Sequence, residues 1–286
     1  MPAGAWYTEV FEEKTALGLR VKETLHRERS DFQLVEVLDT AWLGKVLVLD
    51  GIFMTSVADE FYYHEMIVHP ALCTAPRIRR VLVIGGGDGG TAREVLRHPE
   101  VERCVMVEID RRVVEVCRDH LPEIAAANVQ TSAWDDPRLE LRFEDGVRFV
   151  KEADVEPFDA VILDGSDPVG PAEGLFDRSF YEGVRRVLAD DGVFALQSES
   201  PTVYEDVFFE IQRTASSVFG ASHPYFGSVP IYGAGMWTWT LAGRSLDPAA
   251  LHEDRVEAIA DGCRYYTKAI HHAAFAQPAF VARRLG

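Results

Sequence analysis

The 286-residue chain is short of positive charge: 29 lysines and arginines face 46 aspartates and glutamates, a formal net charge of −17. A nucleic-acid or anionic-membrane partner needs a basic face, so neither is expected. The excess acid is compatible with a polycationic substrate, although charge alone does not separate that from simple solubility. Cysteine is scarce as well. Cys73, Cys104, Cys117 and Cys263 are scattered, with no C-x-x-C pair, which points to reduced, buried thiols rather than a disulfide framework. No apolar run approaches a membrane span, and MPAGAWYTEVFEE has neither a basic n-region nor an apolar h-region. The expectation is a soluble, cytoplasmic protein. Internal repeats, low-complexity tracts and long linkers are missing too. His64, His69 and Glu65 lack the same-face spacing of a zinc site, so no metal is expected. No cysteine stands at a strand-end turn, which leaves thiol catalysis unsupported.

What is present is organised around Val81 to Asp110. An apolar run (Val81–Ile84) ends in Gly85, Gly86, Gly87, Asp88, Gly89 and Gly90. A helical stretch follows, then a second apolar run (Cys104–Val107) ending in Glu108. This is the opening of a nucleotide-binding βαβ unit, with Gly85, Gly87 and Gly90 at G-x-G-x-x-G spacing and Glu108 placed to accept ribose hydroxyls. Asp88 inside the turn would repel a pyrophosphate and suits a ligand with a cationic tail, such as an S-adenosyl sulfonium compound. The plainer reading is that Asp88 caps the helix beginning near Thr91. Its place within the fingerprint favours the functional reading.

Upstream, Trp6 to about Asp59 reads as short alternating strands, with Leu17 to Glu23 and Phe32 to Leu38 alternating and Asp50-Gly51 as a hairpin turn. Gln33 falls within the strand pattern FQLVEV. A helix runs from Asp59 or Glu60 to about Leu72, and Pro76 breaks the chain. Downstream, strands Leu139–Phe143, Phe158–Leu163 and Gly192–Leu196 alternate with helices Val147–Lys151, Phe180–Leu188 and Val207–Val218. Strands Ser222–Phe226 and Met236–Ala242 close the pattern as an antiparallel pair around Tyr232. The fold class is therefore α/β: a small antiparallel β-domain (1–65) and a methyltransferase-like Rossmann domain (66–286) with a mostly parallel seven-stranded sheet. Ligands bind at the carboxyl ends of such strands. There stand Asp88, Glu108, Asp145, Asp164 and Gln197, four acids without a lysine or arginine. Converging acids repel unless a cation lies between them, which points to a cationic substrate. Asp167 and the Pro/Gly-rich segment after it have the composition of a gating loop. His271, His272, Trp237 and Trp239 read as structural.

The stretches DEFYYHEMIVHP, VLVIGGGDGGTAREVLRHPEVE, MVEID, LDGSDPVGPAEGLF and RYYTKAIHHAAFAQP together resemble the polyamine aminopropyltransferases, most closely the bacterial spermidine synthases. The resemblance spans the chain essentially end to end. It implies a homodimer that uses decarboxylated S-adenosylmethionine as co-substrate, without a resident cofactor, and putrescine as acceptor. It further implies that Gln33, Glu108, Asp145, Gly146 and Pro171, with the turn glycines Gly85 and Gly87, hold the donor. Asp88 and His64 line the aminopropyl and polyamine channel. Asp164 is the implied base, with Asp167, Tyr63 and Tyr232 gripping the diamine. Two departures bear on acceptor choice: Met54 stands where the family usually has glutamine, and SVADE replaces T-E-R-D-E. An S-adenosylmethionine methyltransferase, transfer to cadaverine, agmatine or spermidine, and a non-catalytic polyamine-binding protein are the competing readings.

Overall fold

The computed structural model describes residues 4–128, 130–167, 170–233, 235–244 and 246–285, with the side chains of 170, 171 and 173 left out. Strands β1 (Trp6–Phe11), β2 (Thr15–Arg29), β3 (Leu34–Thr40), β4 (Gly44–Leu49) and β5 (Ile52–Ser56) pair in chain order as one antiparallel sheet. Asp50-Gly51 is the two-residue turn between β4 and β5, with φ of 47° and 96°, the left-handed pair a type I′ hairpin requires. Strand β2 runs well past the alternating stretch Leu17–Glu23. Its register against β3 shifts at Val21/Glu23 and again at Thr24/His26, and each bulge resets the phase and erases the period-two signal. Gln33 lies just before β3 and not within it. Ser30 Oγ accepts from the N–H groups of Phe32 and Gln33, holding a local turn that delays the strand.

A second, seven-stranded sheet contains β6 (Arg80–Gly85), β7 (Arg103–Glu108), β8 (Leu139–Phe143), β9 (Phe158–Asp164), β10 (Leu188–Gln197), β11 (Ser222–Gly227) and β12 (Trp237–Ala242). Its order is β11-β12-β10-β9-β6-β7-β8, with only β12 antiparallel to its neighbours. Helices α1 (Glu60–Thr74), α2 (Gly90–Leu96), α3 (Arg111–His120), α4 (Gly146–Glu152), α5 (Arg178–Val187) and α6 (Glu205–Phe219) cover it.

Alternation along the parallel strands divides the core in two. Val81, Val83, Cys104, Met106, Ala160 and Ile162 pack with Met66, Ile67, Ala92 and Val95 of α1 and α2, and with Leu38, Val46 and Phe53 of the first sheet. Leu82, Ile84, Val105, Val161 and Leu163 pack against Phe149, Phe180, Tyr181 and Phe219 of α4, α5 and α6. Each large apolar side chain so buried contributes about 1.5–3 kcal/mol before conformational entropy is subtracted. Three short helices that the apolar pattern did not suggest, α7 (Glu253–Ile259), α8 (Lys268–Ala274) and α9 (Ala279–Leu285), close the chain. Buried Arg255 of α7 binds the carbonyls of Leu72 and Ala75 at the end of α1 and the Glu100 carboxylate. Among the described residues, no helix is long and apolar enough to cross a membrane.

Candidate active site

Strands β6, β7 and β9 are parallel, with β7 on one side of β6 and β9 on the other, so the order in which strands are added reverses there and a crevice opens at the carboxyl ends. The glycine turn after β6 packs directly on the end of β9. A Cβ on Gly85, whose φ is 82°, would lie 2.1 Å from the Asp164 carbonyl oxygen, and Gly86 N–H donates to that oxygen at 2.9 Å. A Cβ on Gly90 would lie 2.3 Å from the His64 ring. These glycines therefore let the protein's own site residues approach the turn, beyond the ligand approach that the motif suggests.

Among the described residues the cavity is lined by Glu9, Asp88, Glu108, Asp145, Asp164 and Asp167 as its charged groups, with His64 and with no lysine or arginine. Gln33, Gly85, Gly87, Tyr63, Gly146 and Tyr232 also line it. The sequence-selected residues thus converge on one crevice, except Pro171, whose side chain lies outside the described residues. Met54 lines the cavity, and so does Trp237, which the sequence reading left as structural. Trp239 instead lies in the core, stacked on Tyr225 at 5.7 Å.

Asp164 occupies the centre. Its Oδ1 accepts from Tyr63 Oη at 2.8 Å and its Oδ2 from Thr91 Oγ1 at 2.6 Å. Burial, and next the charge of Asp88, raise its proton affinity above that of an ordinary aspartate, while His64 and the two hydroxyls oppose the rise. Asp88 is held differently. Its Oδ1 accepts from Gly90 N–H at 2.8 Å, at the first residue of α2, whose N-cap is Gly89. Its Oδ2 lies 3.3 Å from His64 Nε2. Burial opposes the Asp88 charge, but the His64 cation and the hydrogen bonds override it and hold the carboxyl below its usual range.

Toward β7, burial pushes Glu108 up to about 7, and its Oε1 accepts from Asp110 N–H at 2.8 Å. Asp110 caps α3 through Arg112 N–H and also accepts from Gln33 Nε2 at 3.0 Å, which ties the first sheet to this corner. Asp145 caps α4 through Val147 N–H at 2.8 Å and is exposed at the cavity edge. On the other side, Tyr63, Tyr232 and Trp237 form an aromatic wall with centroid distances of 5.7 and 4.5 Å, and Tyr232 Oη donates to the Met54 carbonyl at 2.8 Å.

Beyond this wall lies an acid cluster that the sequence did not disclose. Glu9 of β1 accepts from Phe53 N–H at 2.7 Å and is pushed up to about 7 by burial. Glu199 is fully buried, in a left-handed backbone (φ 65°), with Asp167 and Glu9 as charged neighbours. Its Oε1 accepts from Gln197 Nε2 at 3.2 Å, and its carboxyl is also hydrogen-bonded to that of Asp167. A signal for Glu9 was available: it holds an inward-facing position in WYTEVF, in phase with Phe11. Glu199, Thr91, Glu60 and Arg93 gave none, because the contacts that tie them to the site, Glu199 with Asp167, Thr91 with Asp164 and Glu60 with Arg93, join distant parts of the sequence. Among the described residues, no group of three or more His, Cys, Asp or Glu is arranged to hold a metal ion.

Comparison with known proteins agrees with this geometry. A family model described as the spermine/spermidine synthase domain matches residues 60–251, and one described as the spermidine synthase tetramerisation domain matches residues 5–56. The polyamine aminopropyltransferase of Desulforudis audaxviator is 44% identical over 279 residues, covering 98% of this chain and 98% of its own. That of Prochlorococcus marinus is 47% identical over 263 residues, covering 90% and 89%. A crystal structure of spermidine synthase in complex with the transition state analogue AdoDATO superposes with a TM-score of 0.93 at 35% identity, covering 99% of this chain and 95% of that one. The structure of spermidine synthase from Thermotoga maritima gives 0.91 at 35% identity, covering 99% and 94%.

Proposed function

The chain belongs to the spermine/spermidine synthase family and is an aminopropyltransferase, and we propose that it transfers the aminopropyl group of decarboxylated S-adenosylmethionine to putrescine, giving spermidine and 5'-methylthioadenosine. One observation carries the choice of substrates: carboxylates converge on the crevice and, among the described residues, no lysine or arginine lines it. Such a site attracts a sulfonium with an amine tail and a diamine. It disfavours the carboxylate of S-adenosylmethionine itself, which would meet Asp88.

The attacking amine must first lose a proton from a group with an intrinsic pKa near 10.4. Asp164 accepts it, positioned by Tyr63 and Thr91 and strengthened as a base by burial. The nitrogen lone pair then forms the N–C bond as the C–S bond breaks. The departing electron pair stays on sulfur, converting the sulfonium to a neutral thioether. Asp88 binds the ammonium of the donor. Glu108, Gln33, Asp145, Gly146, Gly85, Gly87 and Pro171 hold its adenosine. Tyr63, Tyr232 and Trp237 flank the methylenes of the acceptor, and Asp167 and Glu9 hold its distal ammonium, with Glu199 buried behind them. The donor is consumed in each turnover, so no resident cofactor or metal enters the reading.

Asp164→Asn tests it. With putrescine, turnover is expected to fall by about two to four orders of magnitude while methylthioadenosine binding survives. Retained turnover removes Asp164 from its role. A panel of putrescine, cadaverine, agmatine and spermidine, read by mass spectrometry of the products, separates the acceptor readings. No transfer to any of them leaves a polyamine-binding protein.

The assembly we infer is a homo-oligomer through the first sheet, where Trp6, Val10 and Trp42 stand exposed at 65%, 61% and 63%. A monomer by light scattering at micromolar concentration rejects it. The four free thiols, three of them buried, suit the reducing cytoplasm as the compartment.

A further inference from the structure

Behind the cavity lies a chain of alternating charge that neither the family comparisons nor the sequence motifs bring out. His64 is 1% exposed, and both of its ring nitrogens face carboxylates: Nδ1 is 2.7 Å from Glu60 Oε2 and Nε2 is 3.3 Å from Asp88 Oδ2. A neutral imidazole donates from one nitrogen only, so this geometry is fully satisfied only by the imidazolium. Glu60 is gripped in turn by Arg93, whose Nη1 and Nη2 reach its two oxygens at 3.0 and 2.8 Å. Neither Glu60 nor Arg93 lines the cavity. The order is Arg93 (+), Glu60 (−), His64 (+), Asp88 (−), running from the buried contact of α1 and α2 to the crevice.

We propose that Glu60 and Arg93 are positioning residues for aminopropyl transfer: through His64 they keep Asp88 ionised and fixed in place, and so leave Asp164 as the carboxylate that takes the proton of the attacking amine. This rests on the reading of Asp164 as base. Asp88 and Asp164 are neighbouring acids in one dry crevice, and two such acids compete for a proton unless their surroundings differ. Here they differ. Asp88 faces an imidazolium and a backbone N–H, whereas Asp164 faces two neutral hydroxyls and the Asp88 charge. The proton affinities are driven apart, Asp88 downward and Asp164 upward.

The groups facing His64 come from every element packed on it. They are Glu60 and Tyr63 of α1, Asp59 just before it, Asp88 of the glycine turn and Asp164 of β9, with Arg93 of α2 behind Glu60. Burial alone would discharge the ring. The Asp88 and Glu60 carboxylates override that and hold it well above an ordinary imidazole.

Glu60→Gln keeps the shape and removes the charge. His64 then keeps only Asp88 as a carboxylate partner and holds its proton less tightly, so Asp164 has less of a cation beside it. The acid limb of the kcat/KM–pH profile for the acceptor is expected to move up by about one pH unit, with the alkaline plateau within several-fold of the parent. His64→Gln should give the same displacement, and the double variant Glu60→Gln/His64→Gln no further one, because both act through one cation. An unmoved limb in Glu60→Gln, or a displacement that adds in full on the His64→Gln background, overturns the proposal. Should Glu60→Gln not fold, ¹⁵N imidazole spectra of the labelled parent decide. Both His64 nitrogens are expected to be protonated at about pH 8, well above the ordinary imidazole value, and a neutral ring there overturns the proposal. These spectra need no turnover. A failure of the Asp164 assignment, seen as active Asp164→Asn, is therefore distinguishable from a failure of the charge chain.

Discussion

Thr91→Val isolates one hydrogen bond to the proposed base. The Thr91 hydroxyl is fully buried and lies 2.6 Å from Asp164 Oδ2, the length of a charge-assisted O–H···O⁻ bond. Valine fills the same volume without the donor. A hydrogen bond to a charged group contributes about 1.5–3 kcal/mol, and one pKa unit is about 1.4 kcal/mol, so losing it raises the Asp164 pKa by roughly one to two units. The sign follows from which form is stabilised: the hydroxyl donates to the carboxylate, so removing it favours the protonated acid. In steady-state assays across pH, the acid limb of kcat/KM should move up by about that amount. Rates below the limb then fall about 10- to 100-fold, and the alkaline plateau stays within a few-fold of the parent. Thermal stability should fall more at alkaline than at acid pH, since only ionised Asp164 misses the bond. A uniform loss of turnover at every pH, with the limb unmoved, refutes the assignment and leaves Thr91 as packing alone.

The distal acids make a second prediction. Glu9 is pushed up to about 7, and burial also raises Asp167 and Glu199, so the free protein holds protons there near neutrality. A bound dication favours the ionised acids. Putrescine should therefore release protons, and its affinity should rise as pH increases through about 7 and then level off. Calorimetry in buffers of different ionisation enthalpy counts those protons; none released, or a count unchanged in Glu9→Gln, contradicts the picture. Gly90→Ala places a methyl 2.3 Å from the His64 ring, so the ring must be displaced from between its carboxylates. The expected cost is about 1–3 kcal/mol in chemical denaturation together with a raised KM for the donor. Wild-type values for both would mean that the ring is not held by the turn.

Much of the site was legible because its residues sit at punctuated positions. Glu108 and Asp164 each end a strand, Asp145 opens a helix and Asp88 lies in the turn between β6 and α2, and the α/β pattern brings such positions to one edge of a sheet. Gln33 was legible as a polar residue, but its turn was not: Ser30 side-chain bonds hold it, and alternation carries no trace of them. Strand β2 was only partly legible because its bulges break the period.

The linear order of residues determined the α/β class, the mostly parallel seven-stranded sheet and the acid-rich strand ends, since periodicity, turn chemistry and strand-terminal position are local properties of the chain. Folding decided what each acid does. Whether a carboxylate meets a cation, a hydroxyl or another carboxylate depends on neighbours tens to hundreds of residues away, as Glu60 meets Arg93 and Glu9 meets Asp167 and Glu199. Proton affinity follows from that burial and company rather than from residue type. Asp88 and Asp164 are the same amino acid, one in the turn after β6 and one at the end of β9, and only their packed neighbours lower the proton affinity of the first and raise that of the second.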